Sequence, residues 1–160
     1  MSDTKTVEKN SMKEKIDIKS IIARLTDKDD RKAYEYAKHL NAESAASNKY
    51  YSCFEDFLSL IDSSSSYVRT RGFQLCCSQA RWDSKGKIEK ALPQLCALLN
   101  DEKPTVVRQC LNALHEVILY LPQLGDKISN EIDRIDLTKY KDSMTPLIQK
   151  DIDELKKMLD

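Results

Sequence analysis

Residues 92–121, LPQLCALLNDEKPTVVRQCLNALHEVILYL, restrict the possible fold more than any other part of the chain. Apolar side chains fall at Leu92, Leu95, Leu98 and Leu99, then at Val107, Cys110, Leu111, Leu114, Val117, Ile118 and Leu121. An i, i+3, i+4, i+7 spacing is the buried stripe of an amphipathic helix, and here it occurs twice in succession. Asn100 and Asp101 stop the first helix, and Pro104 opens the second at a position that needs no backbone donor. Asp101 stands just ahead of that start, where a carboxylate faces the positive end of the helix dipole. The stretch reads as a helical hairpin.

Two helices recurring with a period of about 40 residues signal a stacked repeat array. DEKPTVVR has a counterpart in DSSSSYVR: Asp62 precedes Arg69 as Asp101 precedes Arg108, seven positions in each case, with an offset of 39 between the pairs. At that offset Leu60 falls on Leu99, Val68 on Val107, Gly72 on Leu111 and Leu75 on Leu114. Nearer the C-terminus Asp142 leads into SMTPLIQK, with Pro146 read as the first helical residue and Ile148 and Gln149 in the places of Val and Arg. Leu147, Ile148, Ile152, Leu155 and Leu159 continue that stripe. In the other direction Ile18, Ile21, Ile22 and Leu25 form a stripe ending at Asp27, and Ala33, Tyr34, Ala37 and Leu40 form the next, with Tyr34 at the arginine position. The expectation is four hairpins, about residues 16–47, 49–82, 86–122 and 126–160, in one domain behind a mobile polar tail over residues 1–15.

Composition narrows the class. Only 3 glycines and 4 prolines among 160 residues favour long helices over a strand-and-turn design, so an all-α fold is expected. With 26 basic against 26 acidic residues there is no global field to draw nucleic acid. The N-terminus lacks the apolar region of a secretory signal, and no run approaches the about 20 apolar residues of a membrane span. A cytoplasmic protein without membrane association is expected. Five cysteines, Cys53, Cys76, Cys77, Cys96 and Cys110, show no CxxC spacing and read as reduced apolar fillers. His39 and His115 are too few and too far apart for a metal cluster, and Gly72, Gly86 and Gly125 make no phosphate loop, so no metal or cofactor is expected. His115 and Cys76 hold equivalent positions in consecutive repeats, where an axial spacing of about 10 Å keeps them from forming a nucleophilic pair.

LPQLCALLND followed by PTVVRQCLNAL resembles the HEAT repeat, with Pro93 early in the first helix, Asp101 in the turn, and Val107 and Arg108 opening the second helix. The likeness extends to Asp62, Val68 and Arg69, partly to Asp142, Pro146 and Ile148, and least to the first hairpin. The layout is similar to that of small stand-alone bacterial HEAT-repeat proteins. The resemblance implies a right-handed α-α superhelix, its second helices lining a concave surface that holds another macromolecule, and it implies no reaction.

On that expectation Arg69, Phe73, Arg108, Asn112 and Lys150 are candidates for contact with a protein partner. Asp62, Asp101 and Asp142 are expected as rungs of a structural ladder in which arginine forks tie neighbouring turns. The one basic concentration, Arg69, Arg71, Arg81, Lys85 and Lys87, is interleaved with Tyr67, Phe73 and Trp82, a combination that suits single strands. HEAT-like DNA glycosylases that handle alkylated bases supply the alternative; they use aromatic residues and a catalytic Asp on the concave face, and Trp82 with Asp83 loosely resembles that pair. Asp83 and Glu89 dilute the charge, so nucleic acid ranks below protein as a partner, and Trp82 reads as a plug between repeats beside a helix-capping Asp83.

Overall fold

The computed structural model describes residues 16–159. The tail expected over residues 1–15 lies outside them. The fold is all-helical, with eight α-helices, short 3-10 turns and no strand among the described residues. α1 (Ile18–Leu25) and α2 (Asp30–Ala46) each start at an aspartate: Asp17 accepts the Ser20 N–H at 3.2 Å and Asp29 the Lys32 N–H at 3.2 Å. Such caps satisfy donors that the first helical turn leaves unpaired. α3 (Phe54–Ser59) is short and prolonged by 3-10 turns at Tyr51–Cys53 and Leu60–Asp62. Ser65 caps α4 (Ser66–Cys77) through the Val68 N–H. Gly86, at φ 65°, turns the chain into α5 (Lys87–Cys96), which tightens into a 3-10 turn at Ala97–Asn100. α6 (Pro104–Tyr120) starts on Pro104, and α7 (Gly125–Asp133) and α8 (Thr145–Lys157) complete the chain. Pro146 sits one residue inside α8, not at its first position, since Thr145 already closes the first helical turn onto Lys141.

Sequential helices pair as hairpins, α1 with α2, α3 with α4, and α5 with α6 chiefly through the Ala97–Asn100 turn. The second members also pack side by side in the order α2, α4, α6, α8, while α5 touches α7 on the other side. α4 is therefore flanked by α2 and α6 and backed by α3. Its buried residues, Val68, Phe73, Leu75, Cys76 and Cys77, go nearly round the helix. Phe54, Phe57 and Phe73 lie among the largest enclosed side chains, each stabilising the fold by about 1.5–3 kcal/mol relative to exposure. The crossing of α4 over α3 is set by Gly72, where a Cβ would fall 2.7 Å from the Phe57 carbonyl oxygen and 2.8 Å from Leu60 Cβ.

The last hairpin departs from the central pair. Between Asp133 and Thr145 the chain makes a 3-10 turn at Leu137–Lys139, started by Asp136 accepting the Thr138 N–H at 3.0 Å. Tyr140 then buries its ring and donates its hydroxyl to the Asp101 carbonyl at 2.7 Å, pinning this longer connection to the preceding turn.

Candidate binding groove

The arginines expected at a surface are engaged in the fold to different degrees. Arg69 is buried. Its Nε and Nη2 donate to the two carboxylate oxygens of Asp101 at 2.9 and 3.0 Å, and its Nη1 donates to the Ser63 and Ser64 carbonyls at 3.0 and 3.2 Å. The guanidinium thus binds its own turn to the next one, and the hydrogen bonds it donates to Asp101 raise its pKa. All these donors are used inside the molecule, so Arg69 is not the open surface cation expected of it. Arg108 is bound instead to Asp151 on α8, at 2.7 Å from Nε. Asp142, expected as its rung, is exposed; the longer connection before α8 carries it away, and Asp151 takes its place. Asp62 is exposed too, and Tyr34 stands where an arginine would have to reach it. Asp101 remains as a rung, its carboxylate also accepting the Lys103 N–H at 2.9 Å.

Phe73 is fully enclosed, contrary to the expectation of a surface position, because α4 is covered from both sides. Lys150 is exposed on α8. Asn112 is exposed and lines a groove of about 730 Å³ that runs over α2, α4 and α6 and ends against Met158. The groove is built from polar stripes at helical spacing: Tyr34, Lys38, Asn41 and Ala45 on α2; Arg71, Gln74, Ser78 and Arg81 on α4; Gln109, Asn112, Glu116 and Leu119 on α6. Residues three or four apart share a helix face, and on α4 two members of the stripe, Arg71 and Ser78, are themselves buried. Gln74 Nε2 donates to Gln109 Oε1 at 3.3 Å, and the Ser78 hydroxyl donates to Asn41 Oδ1, which stitches the stripes together.

Two of the cationic groups at the groove, Arg71 and Arg81, are held by local partners. Arg71, two positions after Arg69 and so turned to the other side of α4, donates to the Leu25 carbonyl at 3.1 Å and to Asp30. It ties α4 backward to the first hairpin as Arg69 ties it forward. Arg81 donates to the Ala45 carbonyl, lies 3.7 Å from Glu116 and stacks on Tyr120 at 4.5 Å, while its Nε is buried without a partner among the described residues. Burial pushes the Glu116 carboxyl above the ordinary range against the lowering effect of Arg81. Tyr34, Leu119 and Tyr120 leave apolar surface open along the margins.

Farther from the groove, the Trp82 indole donates to the Ser44 carbonyl at 2.7 Å, joining the first two hairpins. Asp83 accepts the N–H groups of Lys87 and Ile88 at 2.8 and 3.0 Å and the Tyr51 hydroxyl at 2.6 Å, which caps α5. Lys87 pairs with Glu55 at 3.0 Å. All five cysteines are buried and free, and burial pushes every thiol above its usual value, Cys96 to about 12. His115 Nδ1 approaches Met158 Sδ at 2.8 Å, and Cys76 Sγ faces the Phe54 carbonyl. Among the described residues no group of three or more His, Cys, Asp or Glu could hold a metal ion, and no helix is long and apolar enough to cross a membrane.

Compared with protein-family models, curated proteins and solved structures, the chain matches none. The groove residues Lys38, Asn41, Gln74, Gln109 and Glu116 are missing from the sequence-based candidates. Their signal is present as polar stripes repeating between the second helices, Arg71, Gln74 and Ser78 falling 38 positions before Gln109, Asn112 and Glu116. It is masked because the 39-residue register of the turn aspartates and the apolar face differs by one from the 38-residue register of these polar positions.

Proposed function

We propose that the protein is a non-enzymatic scaffold of the HEAT-repeat type, a short right-handed solenoid that holds a protein partner on the face of its second helices. The observation that carries this reading is the groove, which draws its lining from three second helices, α2, α4 and α6, and closes against Met158 just past α8, instead of from a single loop or helix end. A surface assembled from repeated elements and rimmed by Tyr34, Leu119 and Tyr120 offers both the apolar anchors and the polar surround of a recognition site. The internal pairing of Arg69, Arg71, Arg81 and Lys87 supports protein over nucleic acid, because phosphate binding draws on cations free to replace counterions. Buried thiols with raised pKa values favour a non-catalytic role, since thiolates are the reactive form. Free cysteines also suit the reducing cytoplasm, where we place it.

The test is a photo-crosslinking amino acid placed at Asn112 in the groove and, in a second variant, at Lys90, which is exposed on α5. Crosslinking in cells of the native host, followed by mass spectrometry, should yield a discrete protein adduct from position 112 and none of the same mass from position 90. Equal yields of the same adducts from both positions, or adducts to nucleic acid alone, would reject the reading.

A further inference from the structure

We infer that the groove binds an extended peptide segment, with the carboxamides of Gln74, Gln109 and Asn112 pairing with its backbone and Lys38 meeting an acidic side chain. This rests on the second-helix face being a protein-binding surface and specifies what form the partner takes there.

An extended chain leaves backbone N–H and C=O groups unpaired, and each must find a partner when desolvated. A primary carboxamide offers a donor and an acceptor side by side, which matches a peptide group. The hydrogen bond from Gln74 to Gln109 uses one donor and one acceptor and leaves Gln74 Oε1 and Gln109 Nε2 with bonding capacity; Asn112, about one turn along α6, is exposed. A helical partner would satisfy its own backbone and would want a continuous apolar trough. The middle of this groove is instead amide-rich, with its exposed apolar surface at Tyr34, Leu119 and Tyr120 near the ends.

Charge fixes the remaining feature. Lys38, Arg71 and Arg81 face the groove with Glu116 as the one carboxylate. Arg71 is tied to Asp30 and the Leu25 carbonyl, and Arg81 to Ala45 and Glu116. Lys38 is exposed and forms no ion pair among the described residues, so it is the cation open to a carboxylate. From Lys38 on α2 to Asn112 on α6 is two interhelical spacings of about 8–10 Å each, a span covered by about six residues of extended chain at about 3.3 Å per residue.

A displayed library of random decapeptides panned against the full chain tests this. Enriched peptides should carry Asp or Glu, and a selected peptide, made synthetically and measured by fluorescence anisotropy, should bind about tenfold more weakly to Lys38→Glu and to Asn112→Leu. These positions are exposed, so the variants keep the fold, which circular dichroism verifies. Methylating alternate backbone nitrogens of the peptide should weaken it by a similar factor, whereas Lys127→Glu, exposed on α7, should leave affinity unchanged. No enrichment, enrichment without acidic residues, affinity indifferent to Lys38 and Asn112 or to backbone methylation, or preferential binding of a single-stranded oligonucleotide would each overturn it. If crosslinks from position 112 map to a helix or to a folded surface of a protein partner, the scaffold reading survives and the extended-peptide inference falls.

Discussion

Arg69 and Arg108 occupy equivalent places near the starts of α4 and α6, yet they carry different energies. The Arg69 side chain is 10% exposed and that of Asp101 6%, whereas the Arg108 side chain is 37% exposed against 19% for Asp151. Removing one member of a buried pair strands the other charge, at a typical cost of about 3–5 kcal/mol. A pair open to water contributes about 0–1 kcal/mol, with screening by salt. Arg69→Ala should therefore lower the denaturant midpoint sharply and Arg108→Ala slightly, and equal losses would show that the burial difference does not set the energy. The double variant Arg69→Met with Asp101→Leu should recover much of the loss, since it leaves neither charge behind. Lysine at position 69 should fail to substitute, because a single ammonium cannot reproduce a fork that reaches Asp101, Ser63 and Ser64 together.

The helices themselves are governed by a few contacts that fix where each begins and how closely it packs. Gly72 is the clearest case. Alanine in a helix interior is favoured over glycine by about 0.8–1.0 kcal/mol, but here the added carbon would meet the Phe57 carbonyl and Leu60 Cβ inside contact distance. Backbone on the far side cannot swing away as a side chain can, and overpacking of this kind costs about 1–3 kcal/mol. Gly72→Ala should thus be destabilising, and a thermal melt showing a gain would mean that α3 slides freely. Asp83→Ala should cost about 0.5–2 kcal/mol, because the Lys87 and Ile88 N–H groups at the start of α5 lose their acceptor. These elements differ in how plainly the sequence announces them. The hairpins were legible from apolar spacing and the capping aspartates, both local signals. Burial of Phe73 was not, because one helix's periodicity cannot reveal that α4 is covered by neighbours on two sides. Nor was the bond from Arg108 to Asp151, which spans 43 positions and depends on the length of the connection before α8. The groove was half legible: Asn112 was expected at a surface, but Gln74 comes beside Gln109 only once the second helices stand side by side.

Across the whole molecule, the residues that lock the rows together also set how it responds to alkali. Cys53, Cys76, Cys77, Cys96 and Cys110 all have thiols pushed above their ordinary value of 9.0, in each case chiefly by burial. Tyr36, Tyr50, Tyr51 and Tyr140 are likewise raised above 10.0 by burial, with the Asp83 carboxylate adding to the effect on Tyr51, which reaches about 12. In every case the native state keeps a proton that the unfolded chain would release. Stability falls with rising pH wherever the native state binds more protons. The contribution of these groups is complete below pH 9.0, where both states are protonated. It declines first through the cysteines, and from pH 10.0 the tyrosines steepen the loss towards about 12. Denaturant midpoints measured from about pH 8 to about pH 11 should therefore drop progressively, and a flat profile would contradict the burial of both sets. The same packing predicts that an aromatic disulfide reagent leaves the native thiols unmodified at neutral pH and reacts with all 5 once the chain is unfolded. The two measurements separate the contributions: replacing the carboxylate that Tyr51 bonds, as in Asp83→Asn, should soften the part of the loss above pH 10.0 that Tyr51 carries while leaving thiol protection intact. Rapid native thiol modification with an unchanged pH profile would instead mean that the helical rows open locally around the cysteines without global unfolding.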